Sequence, residues 1–147
     1  MKNNKKMHYK IINNPTYTNT MKIGLEVQPE NEPLQFFFTS MRLHKYPEFI
    51  NDILNDRGYL GDPQGVLFYN DLDNEDFATG NVFNKEEVKV YHHVFGESII
   101  SRKTFIQMVY DFSCKLLEVY GNDGNIPENW KLQMEKSLKE LSLKMEH

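Results

Sequence analysis

The chain has 147 residues, of which 39% are apolar and 26% charged; that length supports one domain with a substantial core, and the composition is globular rather than disordered. One cysteine excludes a disulfide framework or a Cys-rich zinc site, and no apolar run approaches the ~18 residues of a membrane span. Residues 1–22 carry five lysines and no acid, residues 23–100 carry 14 acids against five bases, and residues 101–147 carry seven of each, so the formal net charge of −4 arises in the middle of the chain. A nucleic-acid binder shows a basic stripe on a folded face. Here the only basic cluster is the Asn/Lys-rich start, so the acidic middle reads as a solvated surface or as a surface for a basic partner. Met1 to Lys10 lacks the apolar core of a secretory signal, which places the expected compartment in the cytoplasm.

In chain order, residues 1–8 read as a flexible tail, and residues 9–147 as one domain. Tyr9–Ile12 and Met21–Val27 read as strands, the second by its alternation with period two, with a turn at Asn13-Asn14-Pro15. Leu34–Leu43 fits a helix with Pro33 in its first turn, although Phe36-Phe37-Phe38 alone would also suit a buried strand. Pro47–Asp56 predicts a second helix with Phe49, Ile50, Ile53 and Leu54 on its apolar stripe and Gly58 as its terminating glycine. Gly65–Tyr69 reads as a strand and Asn70–Gly80 as a polar, acidic loop. Glu87–Phe95 alternates, with Val88, Val90, His92 and Val94 on one face. Gly96-Glu97 reads as a tight turn and Ser98–Ile100 as the returning strand.

Ser101 is a good N-cap for the clearest helix in the chain, Arg102–Tyr120, whose Phe105, Met108, Val109, Phe112, Leu116, Val119 and Tyr120 recur at helical spacing. After a polar break at Gly121–Asn125, Pro127 opens a last helix with Trp130, Met134, Leu138, Leu141 and Met145 on one stripe. The expected architecture is α+β: a single domain with a small antiparallel sheet packed by helices.

The residues that carry chemistry are few. Asp71-Leu72-Asp73-Asn74-Glu75-Asp76 has the oxygens of a calcium loop, but such a loop needs Gly at position six and a bidentate Glu at position twelve, where this chain has Asp76 and Val82. No metal is expected. His92 and His93 are neighbours on a predicted strand and point to opposite faces, so they do not share a metal; a catalytic histidine also needs an orienting partner. Cys114 lies in a helix, and a thiol buried among apolar groups is inert. No glycine-rich phosphate loop or nucleophile elbow is present. No catalytic residue and no cofactor is expected.

The segment Phe49–Asn125 resembles the immunity proteins of bacterial contact-dependent growth inhibition and related polymorphic toxin systems, in particular the group that neutralises ribonuclease toxins. The matching step is Ile99-Ile100-Ser101 followed by a helix with Phe105 near its start. The group usually has acids after the serine, where this chain has Arg102-Lys103-Thr104, and residues 1–45 are outside the resemblance. The resemblance implies a cytoplasmic inhibitor without an active site, whose partner is the basic C-terminal nuclease domain of a cognate toxin, with no direct contact to nucleic acid or membrane. Residues 46–100 hold 11 acids against three bases. The expected partner-binding residues are therefore Asp71, Asp73, Glu75, Asp76, Glu86 and Glu87, with Tyr69, Phe77 and Tyr91 as aromatic anchors. The alternatives are a non-catalytic adaptor for another protein, or a small enzyme using His92 or His93.

Overall fold

In the computed structural model the described residues are 7–13 and 22–145. Of the expected tail over 1–8, residues 1–6 lie outside the described residues, whereas Met7 packs against the core and His8 begins a strand. The expected turn at Asn13-Asn14-Pro15 lies outside them too, except for Asn13. β1 (His8–Asn13) pairs antiparallel with β2 (Ile23–Gln28), from His8 opposite Gln28 to Asn13 opposite Ile23. Ile23, Leu25 and Val27 alternate into the core, as period-two strands require.

Helix α1 (Glu32–Ser40) follows, capped by Asn31, whose Oδ1 accepts from the Leu34 N–H. The three phenylalanines are helical: Phe37 and Phe38 are fully buried, and Phe36 stacks at 4.4 Å on Phe95. A 3-10 turn at Leu43–Lys45 leads into α2 (Tyr46–Leu54), which buries Tyr46, Phe49, Ile50 and Ile53. Gly58 does not terminate α2. Asp56 takes the left-handed turn, at φ 57°, as a short polar side chain can. Gly58 is needed because a Cβ there would lie 2.0 Å from the Val66 carbonyl oxygen.

The second sheet has the order β3 (Gln64–Leu67), β4 (Glu87–His92), β5 (Gly96–Ser101), antiparallel throughout. Among the described residues there are thus two small sheets where one was expected. Val66, Val88, Val90 and Ile100 form the inward face. The alternation does not continue past His92: Val94 is 79% exposed, the turn is His93–Phe95, and Gly96 at φ 92° opens β5. The turn closes because His92 Nδ1 accepts from the backbone N–H groups of Val94 and Phe95, at 3.0 and 3.3 Å. Tyr69 falls after β3, in a 3-10 turn over Tyr69–Asp71, and a short helix α3 (Asn74–Thr79) replaces the expected acidic loop.

Helix α4 (Arg102–Tyr120) is capped by Ser101 Oγ, which accepts from the Thr104 N–H at 3.2 Å, and α5 (Glu128–Met145) runs alongside it and α2. The core is an aromatic nest from α1, α2 and α4: Phe38 lies 5.1 Å from Phe112 and 5.8 Å from Phe105, and the buried Tyr46 hydroxyl donates to the Phe38 carbonyl at 2.6 Å. Trp130 Nε1 ties α5 to the Leu43 carbonyl at 2.9 Å, and the Tyr9 hydroxyl ties β1 to Asp111 on α4 at 2.6 Å. Among the described residues no helix is long and apolar enough to cross a membrane.

Candidate functional site

The acidic residues singled out from the sequence separate into those that hold the fold and those that face solvent. Asp71 belongs to the first set. Its side chain is only 3% exposed; Oδ2 accepts from the backbone N–H groups of Gly58 and Phe68, both at 2.8 Å, and Oδ1 lies 3.4 Å from Arg57. The carboxylate therefore ties the turn after α2 to the exit of β3. Asp73 and Asp76 are exposed or half-exposed, yet they form a reciprocal cap. Asp73 Oδ1 accepts from the Asp76 N–H at 2.9 Å, and Asp76 Oδ2 from the Asp73 N–H at 3.0 Å, satisfying donors that a helix start leaves orphaned. Gly80, at φ 77°, ends α3 in the left-handed conformation, the usual glycine stop.

Glu75 and Glu86 are exposed. Phe77 on α3 is 51% exposed and lies edge-on to Tyr69 at 6.1 Å, with the Lys85 ammonium 5.7 Å over the Tyr69 ring. Glu87 is half-buried at the start of β4, and its Oε1 accepts from the Asn84 N–H at 3.1 Å. Tyr91 does not join this group. It pairs with Gly65 and Glu97 at the other end of β4, about 13 Å along the strand from Glu87. Its hydroxyl donates to the Gly61 carbonyl at 2.7 Å, and burial pushes its pKa above the ordinary value. The structure thus brings together Asp73, Glu75, Asp76, Phe77 and Tyr69, with Glu86 on the turn before β4 and Glu87 at the start of that strand.

Sequence reasoning missed what lies beneath this group. Lys89 is in the middle of β4, on the face away from the core, and is only 4% exposed. Its ammonium donates to Asn81 Oδ1 at 2.8 Å and lies 3.7 Å from Glu97 Oε2 on β5. Asn81 in turn donates its backbone N–H to the Asp76 carbonyl at 2.9 Å. The chain after α3 is thus laid across the outer face of the sheet, with Phe83 tucked in at 7% exposure and Val82 turned outward at 40%. Ile99, directly opposite Lys89 on β5, is 48% exposed. Phe77, Val82 and Ile99 are therefore exposed apolar side chains linked through Asp76, Asn81 and Lys89. An alternating strand shows that Lys89 and Val88 face opposite ways, but a lysine facing outward in a sequence is normally read as solvated.

The two histidines part company as expected. His92 packs on Phe95 at 4.6 Å and closes the turn, whereas the exposed His93 has Nδ1 3.0 Å from Asp62 and its ring stacked on Tyr91. Burial pushes the Cys114 thiol up from its ordinary value, which lowers its thiolate fraction. Among the described residues no three His, Cys, Asp or Glu side chains gather in a metal-binding cluster. An open cleft of about 570 Å³ lies where Ile53, Ile106 and Leu141 meet Arg102, Lys103 and Lys144. Two of its three cations have an acidic neighbour: Arg102 pairs with Asp56, and Lys144 reaches the same carboxylate at 4.0 Å. The chain matches no protein-family model, no curated protein and no solved structure.

Proposed function

We propose that this chain is an immunity protein that binds and inhibits a cognate nuclease toxin domain, a ribonuclease in the reading its sequence resemblance favours, and that α3 with the following turn is the contact surface. The observation that carries the reading is the short acidic helix with Asp73, Glu75, Asp76 and the half-exposed Phe77, which buries no side chain in the aromatic core and is followed by Asn81, bonded to Lys89 on the outer face of a sheet. A ribonuclease needs a cationic surface for phosphates. An acidic surface complements it, speeds the encounter and orients the approach. Phe77 is the aromatic anchor of this surface, and Glu75 and Glu86 belong to its charged rim. The resemblance of the Ile99-Ile100-Ser101 and Phe105 step to immunity proteins points to the same class of partner.

The test is co-expression with the C-terminal domain of the toxin encoded by the neighbouring gene. The reading predicts that the two proteins co-purify and that the complex cleaves no RNA while the freed toxin does. Failure to co-purify, with growth arrest undiminished, contradicts it. Co-purification with a protein of some other class supports the adaptor alternative instead.

A further inference from the structure

We infer that Lys89 is a positioning residue for partner binding, which fixes the acidic helix α3 in place from beneath without meeting the partner itself. The inference rests on the reading of α3 as the contact surface. A six-residue helix is too short to be stable alone, and α3 buries none of its own side chains. Apart from the edge contact of Phe77 with Tyr69, its position therefore comes from its two ends. In front, the buried Asp71 carboxylate fixes the turn from which the chain leaves for Asp73. Behind, Asn81 is bonded both to the last turn of α3, through the Asp76 carbonyl, and to the Lys89 ammonium.

Burying an ammonium is costly unless it is paired, and here Asn81 and Glu97 share that role. Because Lys89 sits in the central strand of its sheet, with β3 and β5 on either side, its Cα is among the better fixed points of the molecule. Asn81, on an exposed segment, is not. The hydrogen bond therefore transfers the rigidity of the sheet to the helix. A contact surface already held in its bound arrangement loses less conformational freedom on binding, and such gains are read mainly in the dissociation rate.

The test uses Lys89→Met, which keeps a long apolar stem at a buried site, and Asn81→Ala, at an exposed position where the fold is not at risk. Amide hydrogen exchange of the isolated protein is followed in peptides covering 72–86, with α4 as the internal control. Association and dissociation rates are then measured against the neighbouring toxin domain at two salt concentrations. Each variant is expected to raise exchange in 72–86 about tenfold while α4 is unchanged, and to speed dissociation by about tenfold with the salt dependence of association preserved. The double variant is expected to be no worse than the more affected single one, because both remove the Lys89–Asn81 bond, and the other contact of Lys89, to Glu97, does not reach α3.

Unchanged exchange in 72–86 for both variants overturns the inference. So does faster exchange with an unchanged dissociation rate, or additive effects in the double variant. If Lys89→Met also loosens α4, the Asn81→Ala result decides alone. A wild-type chain that does not bind the toxin domain overturns the reading of α3 as a contact surface and the inference with it. Wild-type binding with unaltered dissociation in the variants overturns the inference alone.

Discussion

Residues of one chemical type do different work in this protein, and the difference is set by what each one touches. Asp71 and Glu75 are both carboxylates of the acidic stretch. Asp71 is enclosed and accepts two backbone hydrogen bonds, whereas Glu75 stands in solvent. Asp71→Ala removes a charged acceptor and leaves the N–H groups of Gly58 and Phe68 without their partner. The expected cost is about 3 kcal/mol of folding stability, read by denaturant unfolding. The same substitution at Glu75 should cost less than about 0.5 kcal/mol, as ordinary surface changes do. Equal losses at the two positions would contradict the division between structural and exposed acids.

Sequence alone does not make this division. Spacing shows where carboxylates lie along the chain, and Asp71 is revealed only by the return of Gly58 and Phe68 to its side. Asp56 and Gly58 illustrate the same limit. Both are plausible helix-terminating residues, but the closeness of the Val66 carbonyl is what demands glycine at 58.

At the scale of elements, legibility follows the apolar pattern. α4 and α5 were readable to within a residue or two because their buried faces repeat at helical spacing and their starts carry Ser101 and Pro127. α3 has start and stop signals in Asp73, Asp76 and Gly80, yet it has no apolar stripe, because it packs no face into the core. What fixes it are hydrogen bonds of Asp71 and Asn81 to the neighbouring turn and sheet, and periodicity does not record those. β4 read three residues too long, since Val94 continues the alternation but faces solvent in a turn held by His92.

The packing of α4 gives a direct test. Phe112 is fully buried between Phe38 and Tyr46, so Phe112→Ala should cost about 3–5 kcal/mol. An unchanged thermal midpoint would mean that α4 is not the core element. The capping pair also dictates how the contact surface should be probed: reversing Asp73 and Asp76 would unravel α3 as well as change its charge. Glu75 and Glu86 make no capping bond, so charge can be altered there with the Asp73–Asp76 cap intact.

The whole molecule joins an aromatic core to a charged surface, and each answers to a different solution condition. Burial holds the phenol of Tyr46 well above its ordinary pKa of 10.0, and burial together with the Asp111 carboxylate does the same for Tyr9. Both groups ionise more readily unfolded than folded. The stability they represent is therefore complete below about pH 10 and declines as pH rises beyond it. Thermal midpoints should fall on the alkaline side, and Tyr46→Phe should flatten part of that fall while losing about 1 kcal/mol at neutral pH with its hydrogen bond to Phe38. A variant with the full alkaline slope would show that Tyr46 is not the group responsible.

The contact surface answers instead to salt, since exposed charges are screened beyond about 10 Å at 0.1 M ionic strength. The central claim is that an acidic α3 surface meets a basic nuclease toxin. The most direct measurement is the association rate of the Glu75→Lys, Glu86→Lys double variant with the neighbouring toxin domain, across ionic strength and beside the wild type. The account predicts association slowed by about tenfold at low salt, a difference that shrinks as salt is raised, and an unaltered thermal midpoint. Association and toxin neutralisation equal to wild type at low salt would contradict it, and would leave the acidic surface with a solubilising role only.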